Sequence, residues 1–227
     1  MVPDKKILVV CEGPSDFALI EGIINHAGKQ SGLNFQAELL KPQLDATSRR
    51  HEKFGYEGVK SWCKSNRYLK DSFGRDRIGS IMTIARADYL LVHVDTDIAE
   101  SLKINGRLFE QHARREWCEI NLNNWLGAAK PHLHCHFLLP SYQIETWILA
   151  THNLANTDPD YELLAEVEER LLELGYKKDN TKVNRIYKEL QLYKTHPQYL
   201  PRVLAELTQA KNKCQELDDF LTFIDNM

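Results

Sequence analysis

Two groups of acidic residues in this sequence stand where apolar runs stop, and that placement gives them possible chemistry. The first run, Ile7-Leu8-Val9-Val10-Cys11, gives way to Glu12-Gly13-Pro14-Ser15-Asp16. An aliphatic run rich in β-branched residues, stopped by an acid, a glycine and a proline, reads as a buried strand ending at a turn. It leaves the Glu12 carboxylate at the strand tip. The second run, Tyr89-Leu90-Leu91-Val92-His93-Val94, runs straight into Asp95-Thr96-Asp97. Residues two apart in extended backbone point to the same side, so Asp95 and Asp97 can face one spot beyond the strand's carboxyl end. Two hard oxygen donors with no soft ligand between them suit magnesium or manganese better than zinc. A structural alternative makes Asp97 the cap of the next helix and Asp95 a turn residue.

Other residues with chemical potential are more ambiguous. Glu145, in Ile144-Glu145-Thr146-Trp147-Ile148-Leu149-Ala150, is a single acid in an apolar helical register, and it either faces solvent or turns back toward the strand ends. His132, His134 and His136 alternate with Leu133, Cys135 and Phe137, which puts the histidines on one side of a strand. They read either as a partial zinc site lacking further ligands or as half-exposed residues of an edge strand. The five cysteines, Cys11, Cys63, Cys118, Cys135 and Cys214, are odd in number and widely spaced, which suits reduced buried thiols. Between Arg49 and Arg86, ten lysines and arginines stand against four acids, with Arg49, Arg50, Lys53, Arg75, Arg77 and Arg86 among them. That stretch is either a phosphate-contacting face or an ordinary solvated surface.

The elements that must position these groups alternate. A strand over Ile7–Val10 leads through Pro14, a residue suited to a first helical turn, into a helix marked by Phe17, Ala18, Leu19, Ile20, Ile23 and Ile24. A second strand over Asn34–Leu40 closes at Lys41-Pro42 and completes a βαβ unit. The segment 45–87 is weakly periodic, with a helix over Tyr56–Leu69, and forms a basic insertion. After the strand ending at Asp95, the pattern predicts a helix over Arg107–Leu126, a strand over His132–Leu139 and a helix start at Ile144. Beyond residue 150 the chain reads as helices over Tyr161–Leu174, Val183–Tyr193 and Tyr199–Phe223. The expected architecture is an α/β domain over 1–150 with a parallel sheet between helices, and a helical C-terminal extension over 151–227 packed on it.

Composition limits the function classes. A chain of 227 residues, 43% hydrophobic, can bury a substantial core. The formal charge of -3 and pI of about 6.3 set it apart from strongly basic nucleic-acid binders without excluding a local basic surface. No apolar run approaches a membrane span and the first residues lack a signal peptide's apolar core, so a cytoplasmic protein without a membrane partner is expected.

Glu12-Gly13-Pro14-Ser15-Asp16 after a first strand, followed by Asp95-Thr96-Asp97 after a later one, resembles the TOPRIM pattern of topoisomerases, primases and OLD-type nucleases. With Ile144-Glu145-Thr146-Trp147 and the helix holding Cys214 and Phe220, the chain is similar to small TOPRIM-like proteins of prokaryotic defence loci, often encoded beside AAA-type ATPases. The resemblance implies a Rossmann-like TOPRIM sheet and a Mg2+- or Mn2+-dependent nuclease acting on DNA or RNA with a partner ATPase. A non-catalytic regulatory subunit and a nucleotidyl transferase are the alternatives it leaves. It implies Glu12, Asp95 and Asp97 as catalytic residues that also bind the metal, with Asp16 and Glu145 as further ligands. No lysine of the sequence matches the family's catalytic lysine.

Overall fold

The computed structural model describes residues 3–43, 54–67, 77–104, 106–109, 114–127, 134–154 and 161–227, apart from the Glu162 side chain. Four strands form one parallel sheet: β1 (Lys5–Val10), β2 (Phe35–Lys41), β3 (Tyr89–His93) and β6 (Cys135–Leu138), in the order β2-β1-β3-β6. The apolar run of β1 is continuous because both of its faces are covered. Ile7 and Val9 point into one apolar cluster, Leu8 and Val10 into another. A parallel sheet needs such cover, since its crossover connections lay helices on both faces.

The helices divide between those two clusters. On one face lies α1 (Pro14–Gln30), with α5 (Thr146–Ala150), α6 (Val167–Glu173), α7 (Leu190–Thr195), α8 (Leu200–Ala205), α9 (Leu207–Lys211) and α10 (Gln215–Asp225). On the other lie α2 (Tyr56–Ser65), α3 (Arg77–Ala85) and α4 (Arg114–Leu126). The C-terminal helices therefore share the core of α1, and Gly22 shows how closely: a Cβ there would come within 2.3 Å of the Leu200 side chain. Between β3 and α4, β4 (Lys103–Ile104) and β5 (Arg107–Leu108) pair antiparallel. Among the described residues no helix is long and apolar enough to cross a membrane.

Several expected elements differ. The start of the helix expected over Arg107–Leu126 is not helical: Gly106 at φ +80° turns the chain and Arg107-Leu108 folds back on Lys103-Ile104, and the described helix is Arg114–Leu126. The helix over Tyr161–Leu174 is broken by Glu166 at φ +61° into a 3-10 turn and α6. The helix over Val183–Tyr193 is largely extended: Lys178 and Ile186 bridge antiparallel, and only Leu190–Thr195 is helical. The helix over Tyr199–Phe223 is three shorter helices, and α3 falls in the stretch where periodicity was weakest. Arg49, Arg50, Lys53, Arg75 and His132 lie outside the described residues.

Candidate functional site

The acids at the strand ends meet because of how the sheet is wound. β1 connects outward to β2 through α1 on one face, and β3 connects outward to β6 through α4 on the other. The carboxyl ends of β1 and β3 thus flank the point where the winding reverses, and connections leaving in opposite directions open a crevice there. Glu12 follows β1, Asp95 and Asp97 follow β3, and Asp16 sits in the first turn of α1. All four line one cleft of about 880 Å3.

Backbone and side-chain donors fix these carboxylates by one oxygen each. Glu12 Oε1 accepts from the Asp95 amide at 3.0 Å, Asp95 Oδ1 from the Ile144 amide at 2.9 Å, and Asp97 Oδ2 from Gln143 Nε2 at 3.1 Å. Their second oxygens have no hydrogen-bond donor among the described residues. The loop after β3 is locked to the loop after β6: Thr96 donates its hydroxyl to the Pro140 carbonyl and accepts from the Tyr142 amide, while the Asp97 amide donates to the Tyr142 carbonyl. Arg114 clasps this junction, donating to the Thr96 carbonyl and to Glu100 while stacking on Tyr142. On the other side, the Gly55 amide donates to the Glu12 carbonyl at 2.9 Å with Gly55 at φ +73°, a conformation that L side chains adopt only with strain.

The electrostatics follow from crowding acids into a partly dry crevice. Burial, and then the charges of Asp95, Asp16 and Asp97, push the Glu12 carboxyl well above its ordinary value. Asp16 is raised by burial against the pull of His93, and Asp97 by burial and the neighbouring Asp95. Burial also opposes charge on Asp95, but the adjoining His93, Lys188 and the Ile144 amide outweigh it and hold this carboxyl below its ordinary value. His93 is completely buried, with Nε2 3.3 Å from Asp95 Oδ1 and Nδ1 3.9 Å from Asp16 Oδ2. Neither ring nitrogen makes an aligned hydrogen bond, so the contact is charge pairing; burial disfavours the imidazolium, and Asp95, Asp16 and Glu145 more than restore it.

Glu145 occupies a different position from the other four acids. It is fully buried beneath the cleft and is not among the residues that line it. Its Oε1 takes a hydrogen bond from the Tyr193 hydroxyl and an ion pair from Lys188 Nζ, both at 2.8 Å. Burial raises its carboxyl to about 7 even with Lys188 opposing the shift. Lys188 lies 3.3 Å from Glu168 as well, and these carboxylates keep the ammonium protonated against its own burial.

No family model, curated protein or solved structure matches the chain. The chemistry of the cleft has to be argued from its own groups.

Two of those groups, Lys188 and His93, escape the sequence reading, and each left a signal. His93 precedes Asp95 by two residues, which puts both on one side of the extended chain. Lys188 closes a local basic run, Lys177, Lys178, Lys182, Arg185 and Lys188 against the single acid Asp179, hidden because residues 151–227 taken whole hold ten lysines and arginines against fourteen acids. Among the described residues, that run supplies the cations that line the cleft: Lys182, Arg185 and Lys188. Arg77 is exposed at the start of α3 and does not line the cleft, and Arg86 borders a separate depression of about 410 Å3 at the opposite edge of the sheet, with Lys5, Asp88 and His134. His134, just before β6, and His136, within it, meet aromatic rings: His134 is edge-on to Tyr89, and His136 stacks on Phe223 at 4.0 Å, where burial holds it down at about 4. All five cysteines are buried thiols outside any disulfide.

Whether the cleft suits a divalent cation can be judged from its donors. Among the described residues no three His, Cys, Asp or Glu side chains form a ready-made ligand cluster. The donors are nevertheless hard oxygens, and Glu12, Asp95 and Asp97 each keep one oxygen that no donor among the described residues takes. Among the described lining residues, Glu168, Asp179 and Glu189 bring the acids to seven against three cations, a formal charge of -4. A magnesium or manganese ion fits that chemistry.

Proposed function

We propose that the chain is a magnesium- or manganese-dependent nuclease built on a TOPRIM-like domain. The observation that carries this reading is the convergence of Glu12, Asp16, Asp95 and Asp97 on one cleft whose described lining carboxylates outnumber its described cations. A phosphodiester is an anion, and a cleft of this charge accepts one only after divalent cations have reversed the local field. Glu12, Asp95 and Asp97, with Asp16 beside them, would hold the ion. When bound, it supplies charge neutralisation on the phosphoryl oxygens and a water acidified for attack.

The chain's own groups do the rest. Lys188, kept protonated by Glu145 and Glu168, places a fixed positive charge at the cleft for a phosphoryl or leaving oxygen. Glu12, whose carboxyl burial and the neighbouring Asp95, Asp16 and Asp97 hold above its ordinary value, is suited to give or take a proton. Gln143, the Ile144 amide and His93 orient the aspartates. Work with an ATPase partner belongs to this proposal through the family resemblance alone.

The test is cleavage of labelled DNA and RNA, single- and double-stranded, in Mg2+, in Mn2+ and in EDTA. Glu12→Gln and Asp97→Asn are the informative variants, because Asp95 is tied to Ile144 and His93 and its removal disturbs folding as well. Each is expected to lower metal-dependent cleavage by about 10²-fold or more with an unfolding midpoint no lower than that of the wild type. Full activity in both, or wild-type protein that cleaves nothing, overturns the proposal. Incorporation of labelled nucleoside triphosphates in place of cleavage would select the nucleotidyl-transfer alternative.

A further inference from the structure

The cleft has two further walls of different chemistry. One is a hairpin-like arm, residues 177–188, that reaches over the acids from the C-terminal helices. Its backbone is zipped by Tyr187 N to the Lys177 carbonyl at 2.7 Å and Asp179 N to the Arg185 carbonyl at 2.9 Å. Its root is bolted to α6, where the buried Glu168 accepts from the Ile186 amide at 2.8 Å and pairs with Arg185 at 2.6 Å. Lys182 sits at the exposed turn, where its amide donates to the Asp179 carbonyl at 3.4 Å and its charge acts on the Asp179 carboxylate, and it lines the cleft. The other wall is Phe54-Gly55-Tyr56, held against the first strand end by the Gly55 amide, with Phe54 54% exposed where it lines the cleft.

A solvent-facing phenylalanine on one side of an acidic crevice and a cationic arm on the other match what an unpaired nucleotide offers: a π-face and a phosphate. Base stacking on aromatic rings needs a base free of its partner strand, and a basic groove tracks the backbone without reading sequence. A cleft of about 880 Å3 has the dimensions of a small-ligand pocket, which takes single nucleotides and not a base-paired stack.

We propose that this cleft binds single-stranded nucleic acid, with a base stacked on Phe54 and the adjacent backbone held by Lys182 and Arg185. The inference rests on the nuclease reading for the position of the scissile phosphate, yet it concerns binding and is tested separately.

Fluorescence anisotropy of a labelled 12-nucleotide DNA, the same sequence as RNA, and the blunt DNA duplex, with Ca2+ in place of Mg2+, measures affinity; cleavage of the same probes in Mg2+ is scored in parallel. Single strands are expected to bind at least tenfold more tightly than the duplex. Phe54→Ala is expected to weaken single-strand binding by about 5- to 100-fold, the range for loss of one stacked base, with recovery in Phe54→Trp. Lys182→Glu is expected to weaken it and to flatten its salt dependence, and unchanged unfolding midpoints show that both variants are folded. Equal affinity for the duplex, no binding of any probe, or unaltered affinity in both variants overturns the inference even if cleavage occurs. Selective, variant-sensitive binding without cleavage upholds it and sinks the nuclease reading instead.

Discussion

The two edges of the sheet carry similar residues in opposite arrangements. At the amino edge, charged groups are matched to structural partners: Asp88 accepts from the Lys6 amide at 2.8 Å, Asp4 from the Asn34 amide at 2.7 Å, and Lys6 reaches both the Ala85 carbonyl and Glu38. At the carboxyl edge, Glu12, Asp95 and Asp97 also take backbone or amide donors, but each keeps an oxygen in reserve and their charges crowd one another. An aspartate at a strand end is therefore no sign of function by itself. What separates the edges is surplus: acids at one edge are balanced, and acids at the other exceed their cations within a single crevice. Proteins retain like charges in a dry crevice at a cost to stability, and such sites are where function concentrates.

Breaking the deepest pairing of the carboxyl edge should have the largest effect on stability. Lys188→Met leaves Glu145 buried without its cation, and a loss of about 3 kcal/mol in denaturant unfolding is expected, at the low end for a broken buried pair because a third of the lysine side chain is exposed. Adding Glu145→Gln to Lys188→Met should restore most of that stability while cleavage stays lost. Recovery of both would make Lys188 purely structural.

At the amino edge, Asp88→Asn weakens one charge-assisted hydrogen bond to the Lys6 amide. It should cost about 1 kcal/mol in the same unfolding measurement and leave cleavage at the wild-type rate. A large fall in cleavage would mean that the two edges are not separated as described.

A smaller effect sharpens the contrast through pH. Glu12, Asp16, Asp97 and Glu145 have folded-state values above their ordinary ones, Glu145 at about 7. Between the unfolded and folded values the native state binds more protons, so their contribution to stability falls as pH rises through that window. A bound cation takes the place of those protons. Adding 5 mM Mg2+, a chosen assay concentration of about ordinary assay strength, should therefore raise the unfolding midpoint more at pH 8 than at pH 5. An equal shift at both values would count against the crowded carboxylates as the binding groups.

The sheet and the acids were legible in the sequence because both depend on local pattern. Ile7–Val10 and Leu90–Val92 are apolar on both faces, and acids placed directly after them must emerge at the carboxyl edge. The tail was less legible. Its helices are short, from five to eleven residues, and its extended arm carries no apolar alternation; tertiary contacts such as Glu168 to the Ile186 amide fix its course. For the same reason Lys188 could not be matched to the site from spacing alone: 176 residues separate it from Glu12, and only the packing of α6 and α7 beside α1 brings it back. Glu145 was visible as an oddity in an apolar helix start, but its burial behind Lys188 depends on that same packing.

The most direct measurement of the central claim is Mn2+ binding followed by electron paramagnetic resonance at pH 7.5, on the wild-type protein and on Glu12→Gln/Asp97→Asn. The wild type should deplete the free-ion signal, and the double variant, folded by its unfolding midpoint, should leave that signal as in buffer. Equal uptake by the two proteins, or none by the wild type, would contradict a metal site at the carboxyl edge.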